Sequence, residues 1–328
     1  MKLQILVPQY KEPDNVIKPL LDSIAVQQNV DLKNEVGVII CNDGSDVHLS
    51  DDLLKSYPFQ IDYYLCDHAG VSATRNACLD RATAEYVMFC DADDMFMNVC
   101  GLWIIFREIQ TGFDTLNSCF VEETRGPDRK EIQYIIRQMD CTFVHGKVHR
   151  RQYLIDNNIR WNDALTIHED SYFNILCQQL AKNAKYCQSA FYLWRWRNDS
   201  VCRHDDKYIL KTYNNMLESN TALVKQFQRR SMPDHARTYA TNMIYDAYFT
   251  LNKDEWINQE NQDYRAAVEK RFAKYYEEFH TLFDETPQEV KARCVVGIKN
   301  RMFGEGLLME HVTFEDWINK IKTMLGRE

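Results

Sequence analysis

The segment Tyr86-Val-Met-Phe-Cys-Asp-Ala-Asp-Asp-Met95 turns from apolar to acidic within a few residues. Val87 to Phe89 reads as a short buried strand, and it ends in three carboxylates, Asp91, Asp93 and Asp94. Unpaired charge is expensive to desolvate, so such a cluster belongs at a strand's carboxyl end rather than inside a core. That is where open α/β sheets hold their ligands. Carboxylates at i and i+2 of a strand–loop junction can share one hard divalent cation, and a cation held there can bridge the phosphates of a nucleotide. Other chemically capable residues stand at similar junctions. Asp43 lies in the turn Asn42-Asp-Gly-Ser45, and Glu169-Asp170 opens a helical pattern. Arg195 and Arg197 would share one face of a strand.

The elements that must position these groups follow from periodicity. Leu3 to Pro8, Val36 to Cys41 and Ile61 to Cys66 read as strands, the second almost uninterruptedly apolar, as when both sheet faces are covered. A helix capped by Asp14 or Asn15 and running to about Gln28 carries Val16, Leu20, Leu21 and Ile24 on one face. A second helix, about Val71 to Ala82, follows Gly70. This alternation predicts βαβ units and a mostly parallel sheet. Beyond Asp94 the pattern predicts a helix at 101–109, a strand at 115–122, a short strand at 142–144, helices at 150–157 and 169–180, and a half-exposed strand or loop over 191–197. From about Asp206 long amphipathic segments dominate (208–228, 236–251, 264–283, 314–325), which predicts a helical C-terminal region.

Composition narrows the classes. The chain has 328 residues, 45% of them hydrophobic, and no apolar run nears the ~20 residues of a membrane span. The first strand follows Met1-Lys2 directly, too short and without the small-residue cleavage site of a signal peptide. Eleven scattered cysteines with no CxxC pair argue against a disulfide framework or structural zinc. The expectation is a cytoplasmic protein with no transmembrane segment. A peripheral membrane contact would use 314–325, whose mixed charges fit core packing or a dimer contact better. The formal net charge of −9 argues mildly against gross attraction to nucleic acid.

Seven motifs in order resemble family 2 glycosyltransferases of the GT-A fold. They are Val7-Pro-Gln-Tyr-Lys-Glu12, with Lys11 where Asn is usual; Asn42-Asp-Gly-Ser45; Gly70 through Arg75-Asn76, with Thr74 where Ala is common; and Asp91-Ala-Asp-Asp94. Gly146 to Arg151 with Asn158 to Trp161 follows, His149 replacing an aromatic residue. His168-Glu-Asp170 and Tyr192 through Ser200, with Trp194 replacing one Tyr, close the series. The resemblance covers about residues 3–203. It implies a Rossmann-like α/β domain over 1–205 binding a nucleotide-sugar, and a helical domain over 206–328 for acceptor binding or oligomerisation.

The resemblance also implies roles. Pro8, Tyr10, Glu12 and Asp43 go to the nucleoside, where a carboxylate can accept the imide N–H of uracil and a ring can stack on the base. Arg75, with Asn76 beside it, could meet a phosphate in bidentate fashion, or could be a surface arginine. Asp91 and Asp93 form the metal pair for Mn²⁺ or Mg²⁺, with Asp93 the direct ligand and Asp91 acting on it or through the ribose or a water. Asp94 is a supporting acid or a helix cap. His204 completes the metal shell, or is a surface histidine beside Asp205 and Asp206. Asp170 is the general base of an inverting transfer, or with Glu169 caps the following helix. Glu169 is then a supporting or acceptor-binding residue. Arg195 and Arg197 clamp the diphosphate. His145 and His149 read as packing histidines.

The implied activity is metal-dependent inverting transfer from a nucleotide-sugar, a UDP-sugar foremost, to a hydroxyl on a glycan, polymer or modified nucleobase. Residues 195–237 carry nine basic against five acidic side chains, which suits an anionic acceptor but also solvated helix faces. Transfer to a hydroxylated DNA base and a non-catalytic nucleotide-binding assembly module are the alternatives.

Overall fold

The computed structural model describes all residues except 127–129, 139, 198–207, 305–311 and 327–328. The chain divides into two compact units, Met1–Ser200 and Val201–Glu328. His204, proposed from sequence as a metal ligand, lies outside the described residues.

The first unit is built on a nine-stranded sheet among the described residues. Its strands are β1 (Leu3–Gln9), β2 (Val36–Asp43), β3 (Gln60–Cys66), β4 (Tyr86–Phe89), β5 (Met95–Phe96), β6 (Thr115–Arg125), β7 (Ile132–Arg137), β8 (Lys147–Arg150) and β9 (Ala184–Trp194). The path is β3-β2-β1-β4-β8-β6-β9-β5, with β7 paired to β6. The first four strands are parallel. The remainder is mixed: β8 is antiparallel to β4 and β6, while β9 runs parallel to β6. The expected mostly parallel sheet therefore holds for one half only. The helix Asp14–Ala25 buries Ile17, Leu20, Leu21 and Ile24, and helix Val71–Arg81 packs over β1 and β2. Every residue of β2 is buried, as its apolar run requires.

Several local expectations are corrected. The first helix ends at Ala25, and the Asp14 side chain does not cap it but accepts from Ser50. Residues 142–144 form no strand, because Asp140 accepts from the Thr142 and Phe143 N–H groups and the Thr142 hydroxyl, bending the chain into a turn. The neighbouring strand is β8 instead. Strand β9 begins at Ala184 and stops at Trp194, so Arg195 and Arg197 lie past its end.

The second unit is helical over Tyr208–Arg229, Pro233–Leu251, Asp254–Ile257, Gln262–Asp284, Gln288–Gly304 and Phe314–Met324. The apolar face of Phe314–Met324 is buried: Trp317 packs on Phe272 with ring centroids 4.7 Å apart, and Lys320 pairs with the buried Glu269. That settles the face as core packing. Among the described residues no helix is long and apolar enough to cross a membrane.

The turn after β2 sets a sharp constraint. Gly44 has φ +68°, and a Cβ there would come within 2.5 Å of the His68 backbone nitrogen. Left-handed backbone alone costs a non-glycine residue about 1–2 kcal/mol. Gly44→Ala is expected to lower stability by about that much or more, read by chemical denaturation; an unchanged midpoint would contradict the close approach.

Candidate active site

Parallel pairing brings the ends of β1, β2 and β4 to one edge. Leu6 is opposite Phe89, and Gln9 opposite Asn42. Asp43 is therefore the last residue of its strand, and Tyr10 and Asp91 lie one and two residues beyond theirs. Helix Val71–Arg81 starts at that same edge, because Asp43 accepts from the backbone N–H groups of Ala69 and Gly70 at 2.8 and 3.0 Å. His68 reaches Asp43 through Nδ1 at 3.0 Å and stacks on Tyr10, centroids 4.9 Å apart. Glu12 accepts from the Tyr10 N–H, and burial raises its pKa. Pro8 lies within β1, half-buried.

Arg75 lies one turn into that helix, and its side chain is only 4% exposed. It is no surface arginine. Nη2 donates to Asp91 Oδ1 at 2.9 Å; Nη1 donates to Glu169 Oε1 at 2.9 Å and to Asp170 Oδ1 at 2.8 Å. The guanidinium also covers the Trp161 ring at 4.4 Å. One cation thus joins the acids after β4 to the acids opening helix Glu169–Gln179. Burial works against its charge, but the three carboxylates outweigh that and hold it above its ordinary pKa. Asn76, its neighbour, does different work: it binds both backbone groups of Trp161 and the Asp163 carboxylate.

The three aspartates after β4 separate. Burial pulls the pKa of Asp91 upward, but Arg75 and His145 prevail and lower it. Asp94 is fully buried and accepts from the Tyr192 hydroxyl at 2.6 Å and the Arg195 N–H at 2.9 Å. Burial and the charges of Asp93 and Asp91 raise it well above the carboxylate range. It caps no helix. Asp93 is raised by burial and by Asp91 against the pull of Arg197, whose Nη1 stands 3.3 Å from it and 3.9 Å from Glu12. Arg195 donates to the Asp93 carbonyl oxygen.

His145 enters unexpectedly. It is boxed by Phe120, Phe143, Tyr192 and Trp194, as a packing histidine should be. Yet its Nδ1 lies 3.5 Å from Asp94, and one donor atom each from Asp91, Asp94 and His145 fall within 4.8 Å of one another. Two carboxylates and an imidazole suit a divalent cation, and the crowding of acids gives one a reason to bind. Nothing in the spacing of His145 from Asp94 signals this. His149, by contrast, is buried against Thr115 with its pKa pushed down to about 3 by burial, and serves packing alone.

Asp170 is held from two sides. Oδ1 takes Arg75, and Oδ2 accepts the Val144 N–H at 3.0 Å. His168 precedes the helix in left-handed backbone, φ 62°, and gives no side-chain cap. Burial raises Asp170 to about 7, with Glu169 and Asp91 adding to it and Arg75 opposing. Its side chain keeps 19% exposure, so one edge faces solvent. A carboxyl poised near neutrality and open on one side can take a proton from a bound hydroxyl.

Residues 4–102 match the family model described as glycosyl transferase family 2. The chain is 26% identical over 226 residues to the Escherichia coli protein described as uncharacterized glycosyltransferase YibD, covering 62% of this chain and 63% of that one. It is 28% identical over 188 residues to the Bacillus subtilis minor teichoic acid biosynthesis protein GgaB, covering 49% and 20%. The chain thus spans less than two thirds of either relative. Among solved structures, S. aureus TarS 1-349 in complex with UDP-GlcNAc superposes with a TM-score of 0.59 at 17% identity, over 89% of this chain and 83% of that one. The shared fold is GT-A.

Removing the central cation should unmask the acids. Arg75→Met is expected to cost about 3–5 kcal/mol, because breaking a buried pair strands its partners. The sign with pH is definite. Arg75 is what opposes burial at Asp91 and Asp170; losing it leaves burial to raise both folded-state pKa values above their unfolded values, so the folded state holds extra protons and stability falls as pH rises. The deficit should be larger at pH 8 than at pH 5 in urea denaturation; a pH-independent deficit would contradict the charge role.

Proposed function

We propose that this chain is a family 2 glycosyltransferase, an enzyme moving a sugar, with inversion, from a nucleotide-sugar to a hydroxyl acceptor. The observation that carries this reading is the Arg75 hub, which brings the acids of two distant motifs to one point. In this reading residues 1–205 bind the donor and perform the transfer. The helical residues 206–328 contribute acceptor contacts or self-association.

Tyr10, Glu12 and Asp43 line the nucleoside end, with Asp43 fixed by the loop it binds. Uracil is the proposed base, since a fixed carboxylate can accept an imide N–H. Asp91 and Asp94 with His145, and Asp93 alongside, would hold a divalent cation, Mn²⁺ or Mg²⁺. Such an ion supplies charge neutralisation for a departing diphosphate. Arg195 and Arg197, already leaning on Asp93, stand where they can bind the same phosphates. Asp170 accepts the acceptor's proton, and Arg75 keeps it aimed while Glu169 shares the guanidinium. No covalent intermediate is needed: one base and one leaving group stabilised by charge suffice for a single displacement.

A polymer carrying phosphates is the proposed acceptor class, supported by the teichoic acid relative and by the basic surplus of 195–237. A cytoplasmic location fits such a donor. An assembly module without chemistry would have no use for a carboxyl held near pH 7.

A screen of nucleotide-sugars for donor hydrolysis tests the proposal; no turnover of any of them would count against it. With the donor in hand, the rate should rise with pH along a limb near pH 7, because the base works only when ionised. Asp170→Asn should remove this limb and lower the rate by about 10²–10⁴-fold. A wild-type limb near pH 4, or normal turnover by the variant, would remove Asp170 from the role.

A further inference from the structure

Three strands have a single partner among the described residues, β3, β7 and the two-residue β5; the two long ones are guarded differently, and the chemistry of the site does not account for this. Strand β3 pairs only with β2. It carries Asp62 in mid-strand, held by Gln60, and a charge in that place resists pairing with another sheet. Strand β7 pairs only with β6, so among the described residues its outer edge is open. Its sequence, Ile132-Gln-Tyr-Ile-Ile-Arg137, has no charge before its last residue. Every residue of it is exposed, including Ile132 (46%), Tyr134 (62%), Ile135 (41%) and Ile136 (59%). An unguarded apolar edge of this kind is a template for another strand.

We propose that β7 is a self-association edge, to which a second copy of this chain adds its own β7 antiparallel about a two-fold axis through Tyr134. The side-chain pattern specifies that register. It sets Ile132 opposite Ile136 of the second copy, Tyr134 opposite Tyr134, and Glu131 opposite Arg137. Ile132, Tyr134 and Ile136 alternate along one face, so the two copies form one continuous apolar stripe. The flanks are complementary in charge. Glu131 is exposed and makes no side-chain ion pair or hydrogen bond among the described residues. Arg137 is bound by Glu122 at 2.7 Å through Nε but keeps 44% exposure, so it can bridge Glu122 to the Glu131 of the second copy. Moving the axis to lie between Tyr134 and Ile135 would set Arg137 against Ile132 and Gln133 against Ile136, losing both ion pairs and the stripe. The same strand serves both copies, so the contact closes on itself and stops at a dimer. A lipid surface fits less well, because Glu123 and Glu131 lie beside the apolar residues.

The full chain tests this by sedimentation velocity with Ile136→Lys, an exposed position where the variant should fold. The wild type is expected to dimerise in a concentration-dependent way, with Ile136→Lys weakening the dimer by about tenfold or more. The register is tested by mild oxidation. Tyr134→Cys should give a covalent dimer beyond the wild-type background, because the residue meets itself on the axis; Gln133→Cys, opposite Ile135, should not. A monomeric wild type, or a dimer that survives Ile136→Lys, would overturn the proposal. So would binding of phosphatidylglycerol vesicles by a monomer that Ile136→Lys abolishes, which would make the edge a membrane contact.

Discussion

One buried guanidinium organises this site. Arg75 binds Asp91, Glu169 and Asp170 at once, so the end of β4 and the start of helix Glu169–Gln179 are fixed relative to each other. Buried ion pairs tolerate the loss of a partner badly, because the remaining charge has no solvent to return to. Three acids on one cation leave a negative surplus, and that surplus shapes everything nearby. It helps keep Asp170 near neutrality, and with burial it holds Asp94 above the carboxylate range. The arginines past β9 lean instead on Asp93, an acid outside the hub.

The scaffold explains why the hub can exist. Asp43 pins Gly70, and Gly70 starts the helix that carries Arg75. Tyr192 of β9 accepts the Asp91 N–H and donates to Asp94, tying the acidic loop to the sheet's other half. Val144, in a turn held by Asp140, steadies Asp170 from the side opposite Arg75. Each link is a backbone or side-chain hydrogen bond in a place where water is scarce, so each group must find its partner within the protein.

Much of this was legible in the sequence, for a physical reason. Strands β1, β2 and β4 are buried on both faces, so they read as apolar runs, and their polar ends mark the sheet's edge. The family resemblance then named Asp43, Asp91, Asp93 and Asp170. The half of the sheet after Asp94 was hidden. Met95–Phe96 and Lys147–Arg150 are too short for any period to register, and Ile132–Arg137 lacks the alternation of a half-buried strand. Arg75 showed only as a phosphate or surface residue, because its carboxylate partners lie 16, 94 and 95 residues away. His145 looked like packing because it is packing; its approach to Asp94 comes from the turn before β8, which no spacing encodes. The directions of the aspartates were hidden for the same reason: Asp94 points inward with Asp91 and His145, while Asp93 faces Arg197.

The acids around Arg75 should form a site for a cation and a nucleotide together. Calorimetric titration of the protein with UDP, in the presence and absence of Mn²⁺, tests it most directly. Binding of UDP that tightens by about tenfold or more with Mn²⁺ is the expected result, with the linkage lost in Asp94→Asn. Binding of equal strength with and without the ion, or no binding at all, would contradict the claim.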